Sequence, residues 1–100
     1  MSTIVVHCRR EPYDVYIGRR MPRFGLAQSL YANPYRIGVD GDRDEVVEKY
    51  RQWVLTGQDT LARWIRAHVH ELQSKRLGCW CAPERCHGEV LAEMAERSGE

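Results

Sequence analysis

The sequence lacks any apolar run long enough to cross a bilayer, and it has no internal repeat or low-complexity tract. A membrane-spanning helix needs about 20 consecutive apolar residues. Near the N-terminus the apolar run Ile4-Val5-Val6 is short and no positive charge precedes it, so no secretory signal peptide is predicted. We therefore expect a cytoplasmic protein without a membrane partner.

A strong net charge is also lacking. The formal charge is only +1, so the molecule as a whole is not a polycation. Its 100 residues, 43% hydrophobic and 29% charged, are typical of one globular domain spanning residues 1–100. The charge is unevenly distributed, because the last part of the chain is acidic and the first part is basic, with Arg9, Arg10, Arg19, Arg20, Arg23 and Arg36. This asymmetry predicts one side that faces anions.

Turn and helix signals predict an α/β fold. Two short segments rich in β-branched residues, 4–8 and 14–17, are predicted to be strands, which form either a hairpin or two nearby strands. Glycines and prolines interrupt residues 18–41 too often for a long regular element. The expected order is β-β-loop-α-α-β-α, a short sheet packed by helices, with helices starting near Asp42, at Asp59 and after Pro83, and a buried strand over 77–81.

Four cysteines in a reducing compartment indicate metal binding or thiol chemistry before disulfides. Three of them fall in one segment with a histidine, namely Cys79, Cys81, Cys86 and His87. Side chains alternate along a strand, so Cys79 and Cys81 are expected on one face. They should lie close to the Cys86 sulfur and the His87 imidazole, where the last helix begins. Such a ligand set predicts a Zn²⁺ site.

The spacing leaves the ligand set open. Adjacent Cys86 and His87 bind one metal only with an unusual backbone, so Cys8 or His7 is an alternative fourth ligand. A zinc ion that keeps a water ligand is catalytic, and one with four protein ligands is structural.

Two alternative hypotheses for the Cys/His segment need no metal. In one, Cys86 is a nucleophile activated by the helix N-terminus and Arg85, with His87 as its base. A phosphatase-like Cys-x5-Arg loop is absent from the sequence. In the other, the cysteines are small hydrophobic side chains that fill the core.

The arginine-rich half predicts a binding site for a phosphate-bearing ligand. Arginine grips phosphate through a bidentate fork, and aromatic rings stack on bases. The candidate ligand-binding residues are Arg19, Asn33, Tyr35 and Arg36. The alternative is a solvated arginine surface with tyrosines in the core.

Several short motifs together resemble one family, catalogued as domain of unknown function 4326. They are 15-VYIGR-19, 33-NPY-35, 43-RDE-45 with Tyr50 and Trp53, and 77-LGCWCAP-83 followed by 86-CHG-88 and 90-VLA-92. The closing segment is also similar to domain of unknown function 488. The resemblance implies a protein of bacteria or phages in which Arg19, Asn33, Cys79, Cys81, Cys86 and His87 form one site. It implies no particular reaction.

Two functional hypotheses follow from the sequence. The first is an enzyme of nucleotide or modified-base metabolism, with a zinc or thiolate site and an arginine-lined pocket for a nucleotide- or nucleobase-like ligand. The second is a non-catalytic, zinc-stabilised module that binds nucleic acid.

Overall fold

A three-stranded parallel sheet forms the centre of the computed structural model, which describes residues 2–98. The strands are β1 (Ile4–His7), β2 (Val15–Tyr16) and β3 (Arg76–Cys79), in the order β1-β3-β2. Val5 and Val15 both align with Leu77, so β3 pairs with the other two strands. The hairpin interpretation of the first two strands is therefore wrong, because the last strand inserts between them.

The central strand is buried where it meets its neighbours. Leu77, Gly78 and Cys79 are all buried. A side chain at Gly78 would collide with the ring of Tyr13, since a Cβ there would lie 2.7 Å from its Cγ. Glycine at this position lets the Tyr13 ring pack directly on the strand backbone.

The first helix, α1 (Arg43–Thr56), begins with the predicted capping box. The Asp42 carboxylate accepts a hydrogen bond from the Glu45 N–H (2.9 Å), and Glu45 accepts one from the Asp42 N–H (3.0 Å). These bonds satisfy amides that the first turn leaves unpaired. Its buried face consists of Val46, Val47, Tyr50 and Val54.

Two further helices complete the fold. Asp59 caps α2 (Thr60–His68), as expected, and a 3-10 turn continues the chain over Val69–Leu72. The last helix, α3 (Gly88–Ser98), follows Pro83 and begins directly after Cys86 and His87, as expected. A turn closed by the Glu84 N–H on the Cys81 carbonyl (2.8 Å) occupies part of the intervening segment.

The segment between β2 and α1 is mostly irregular, as predicted, with one short 3-10 turn at Pro22–Phe24. It is anchored by Tyr31, which is buried and whose carbonyl accepts a hydrogen bond from the Tyr50 hydroxyl at 2.7 Å. The α/β class and the element order are confirmed. Within residues 2–98 no helix has the length and apolar character needed to cross a membrane.

Candidate functional site

A cleft of about 650 Å³ opens where the carboxyl ends of the strands meet the start of α3. Crevices at this edge of parallel sheets are the usual ligand sites of open α/β folds, and the volume is within the range of small-molecule sites. The cleft brings together all eight residues singled out from the sequence: Arg19, Asn33, Tyr35, Arg36, Cys79, Cys81, Cys86 and His87.

Two buried thiols touch in the wall of the cleft. The sulfurs of Cys79, at the end of β3, and Cys86, just before α3, lie 3.3 Å apart. The Gly88 N–H donates to the Cys86 sulfur at 3.3 Å. Both cysteines are free thiols. One sulfur is therefore the hydrogen-bond donor and the other the acceptor.

The surroundings favour Cys79 as the acceptor. The hydrogen bond from Cys86 lowers the pKa of Cys79 from 9.0 to about 6, opposed by burial and assisted by the N–H groups of Ala82 and Cys81 and the charge of Arg43. The same contact, together with burial, raises the pKa of Cys86 far above its ordinary value. These opposite shifts favour a single negative charge on the pair, with Cys79 as the sulfur that carries it.

The third thiol of the segment faces an arginine that sequence reasoning did not select. The interaction with the neighbouring Cys81 sulfur raises the pKa of the Arg43 guanidinium. Its two terminal nitrogens also bond to the Arg85 carbonyl at 3.0 Å and to the Glu84 carboxylate at 2.9 Å. Arg43 therefore fixes the turn that carries Cys81 and adds positive charge beside Cys79. Its signals in the sequence were its place at the first position of α1 and its membership of the 43-RDE-45 motif.

His87 is buried and bound to the backbone. Its Nε2 lies 2.7 Å from the Ile17 carbonyl oxygen, and its ring meets the Tyr50 ring edge-on at 5.0 Å. A carbonyl can only accept, so Nε2 carries the proton. Burial lowers the pKa of His87 to about 4, which keeps the ring neutral at pH 7. In this position His87 ties the start of α3 to the residue after β2.

Among residues 2–98, no group of three or more His, Cys, Asp or Glu side chains is arranged to hold a metal ion. The bond from Nε2 of His87 to Ile17 removes that nitrogen from a shared ligand shell with Cys79 and Cys86. The two alternative ligands lie elsewhere: Cys8 does not line the cleft, and Nδ1 of His7 accepts a hydrogen bond from the Arg9 N–H at 3.1 Å.

Arg19 and Asn33 line the cleft, but their polar groups hold the loop together. The Arg19 guanidinium donates to the carbonyls of Asn33 (2.7 Å) and Tyr35 (2.9 Å). The Asn33 amide donates to the Val46 carbonyl (3.2 Å) and accepts from the Tyr35 N–H (2.9 Å). These bonds shape the wall that Tyr35 and Arg36 present.

Four arginines and no Asp or Glu are among the described residues that line the cleft. Three acidic side chains, Asp44, Glu48 and Glu89, surround Arg85 from outside, at 2.5–3.0 Å. Arg36 is exposed, and within residues 2–98 neither it nor Arg19 takes part in an ion pair. Because carboxylates outside the lining pair with Arg43 and Arg85, the unpaired positive charge of the cleft lies on Arg19 and Arg36, and this charge favours anions.

Apolar and aromatic side chains form the remaining walls, and sequence reasoning missed them. Trp80 is half-buried and donates its indole N–H to the Tyr16 hydroxyl at 2.8 Å. Ile37 and Val39 lie on the opposite loop and are 51% and 79% exposed. Their exposure follows from a loop with positive φ at Gly38, which helical or strand periodicity does not predict. The apolar wall is completed by Met21, Val46 and Val47.

Comparison with known proteins shows which family the chain belongs to. Residues 6–97, which include every lining residue, match the family model described as Domain of unknown function (DUF4326). The chain belongs to that family. The resemblance found from the motifs is thus confirmed, whereas the similarity to domain of unknown function 488 stays a prediction.

Two viral proteins are similar to the chain. Uncharacterized protein R718 of Acanthamoeba polyphaga mimivirus is 33% identical over 93% of this chain and 71% of its own length. An uncharacterized 12.4 kDa protein in the nrdA-td intergenic region of Enterobacteria phage T4 is 32% identical over 61% of this chain and 56% of its own length. No solved structure matches.

Proposed function

We propose that the cleft binds a nucleotide-like anion and that the Cys79 sulfur acts as a nucleophile on the bound ligand. One observation carries this proposal: a single cleft combines four arginines, two of them (Arg19 and Arg36) without an ion pair among residues 2–98, no carboxylate among its described lining residues, and the Cys79–Cys86 thiol pair. Arginine forks suit phosphate, and the apolar wall with Trp80 suits a flat ring. A nucleotide combines both features.

The thiol pair supports nucleophilic chemistry by Cys79, a reversal of the role given to Cys86 from the sequence. In the proposed step, the Cys79 thiolate forms a sulfur–carbon bond to an electrophilic ring carbon. The π electron pair of the attacked bond moves to the neighbouring ring nitrogen, and the proton of the Cys86 thiol follows it. His87 is a positioning residue in this scheme, because its protonated nitrogen is directed at Ile17.

Ligand-dependent thermal stability tests the binding half of the proposal. A nucleoside monophosphate at 100 times its Kd adds about 2.7 kcal/mol, which raises the Tm of a domain of this size by roughly 10–20 °C. Arg36→Ala is expected to weaken the effect, and Arg63→Ala, an exposed position on α2 outside the cleft, is the matched control. The absence of any shift with nucleotides, nucleosides and free bases would refute the proposal.

Intact-mass analysis tests the nucleophile. An adduct with a reactive-base nucleotide is expected on Cys79, lost in Cys79→Ser and retained in Cys8→Ser, which lies outside the cleft lining. An adduct that survives Cys79→Ser contradicts the assignment.

The zinc-binding version remains a proposal that metal analysis separates from this one. It requires Cys79, Cys81, Cys86 and His87 to converge on one ion, or Cys8 or His7 to replace one of the adjacent pair Cys86 and His87. Protein purified without added metal would then carry about one zinc per chain and lose structure with a chelator. Folded, metal-free protein supports the thiolate version.

A further inference from the structure

A basic and aromatic surface borders the cleft beside Trp80. We call it the rim surface, and it consists of Phe24, Arg9 over its ring, and the exposed arginines within four residues of them in sequence, Arg10, Arg20 and Arg23. The Phe24 ring lies 5.2 Å from the Trp80 ring and is 38% exposed. The Arg9 guanidinium lies 4.5 Å from the centre of the Phe24 ring. A continuous layer of flat groups therefore leads from the cleft to the outer surface.

The arginines of the rim surface carry charge that no ion pair within residues 2–98 neutralises. All four are exposed, and over residues 2–98 none takes part in an ion pair. Glu11 follows Arg10 along the chain and is the acid nearest to them in sequence. By contrast, Arg85, which lines the cleft, and Arg51 on α1 are each paired with several carboxylates. The positive field is thus concentrated on the rim surface.

We infer that the ligand of the cleft is one nucleotide of a single-stranded nucleic acid, whose neighbouring nucleotides lie along the rim surface. This inference rests on the proposed function of the cleft and names its substrate class. A free nucleotide would occupy the cleft and leave the rim surface unused. A strand uses both, because its phosphates pair with arginine while its unstacked bases lie on aromatic rings and guanidinium planes. A duplex keeps its bases stacked and cannot use Phe24 in this way.

Fluorescence anisotropy with a labelled ten-nucleotide strand tests the inference, in DNA and RNA versions and beside a duplex of the same sequence. The single strand is expected to bind more tightly than a mononucleotide. Four phosphate contacts predict a slope of about −2.8 for the logarithm of affinity against the logarithm of salt concentration. Phe24→Ala is expected to weaken strand binding about tenfold, and Arg23→Ala to reduce the slope by about 0.7.

Matched measurements keep failure of the inference apart from failure of the proposed function. Arg63→Ala, exposed on α2, is expected to leave strand binding unchanged. Phe24→Ala should leave mononucleotide binding unchanged, because Phe24 does not line the cleft. Three results would overturn this inference and leave the proposed function intact. They are mononucleotide binding without tighter strand binding, strand binding that neither Phe24→Ala nor Arg23→Ala weakens, and a preference for duplex. If neither form binds, the proposed function falls as well.

Discussion

The reactivity of Cys79 as pH changes is the most direct consequence of the thiol pair. A pKa of about 6 makes about 90% of Cys79 thiolate at pH 7, whereas a thiol with the ordinary value of 9.0 is about 1% thiolate. A thiolate of lower pKa is also a weaker nucleophile, and lowering the pKa by three units reduces its intrinsic reactivity by roughly 15- to 30-fold. The two effects partly cancel in the absolute rate, so the position of the plateau in the pH profile is the informative quantity.

The assay is alkylation by iodoacetamide between pH 5 and 9, with peptide mass spectrometry resolving each cysteine. Cys79 is expected to reach half its maximal rate near pH 6. Cys86→Ala removes the hydrogen bond that lowers the pKa of Cys79 most, so the midpoint of the Cys79 profile should rise to higher pH. Cys8 provides the internal comparison, because burial raises the pKa of that thiol. A Cys79 rate that still increases tenfold per pH unit above pH 8 would refute the reasoning.

Three further predictions concern the groups that hold the cleft in place, each checked by urea denaturation. Stability should fall between pH 7 and pH 5 by about 2 kcal/mol on account of His87: its pKa is about 6.5 when unfolded and lower when folded, so the unfolded state gains the proton. His87→Gln should remove this part of the pH dependence, whereas the control His70→Gln, at an exposed position, should not change it. If the free energy of unfolding of His87→Gln still falls by the same amount between pH 7 and pH 5, the role given to His87 is wrong. Asn33→Ala should cost about 1–3 kcal/mol because it leaves buried partners unsatisfied, whereas exposed Gln58→Ala should cost little; equal effects would contradict the loop-anchoring role. Gly88→Ala should cost about 1–3 kcal/mol, since a Cβ there would lie 2.9 Å from Ile17 and Val5 side-chain atoms, and full stability would show that α3 has room to shift.

Local signals in the sequence predicted local structure well. The Asp42–Glu45 capping box lies within four residues, so its pattern alone sets the start of α1. Strand order was less accessible, because the pairing of Val5 with Leu77 joins positions 72 residues apart. A hairpin and a strand insertion have the same alternation of side chains, and only the packing of the helices decides between them.

The composition of the cleft was predictable in the same limited sense. Motifs indicated that Arg19, Asn33 and the Cys/His segment belong together, and the structure brings them to one cleft. Their individual bonding was not visible in the sequence. The partner of the Asn33 amide is a carbonyl 13 residues away, at Val46, and the donor to Cys79 is a thiol seven residues away across a turn. Such contacts depend on the tertiary fold and carry no periodic signal.

Protection of Cys79 by a nucleotide tests the central claim most directly. Alkylation of each cysteine would be measured at pH 7 while a nucleoside monophosphate is titrated from zero to saturation. The account predicts that the Cys79 rate falls in proportion to the occupancy of the cleft, while the Cys8 rate stays constant because Cys8 lies outside the cleft lining. A Cys79 rate that is unchanged at saturating nucleotide would contradict the account.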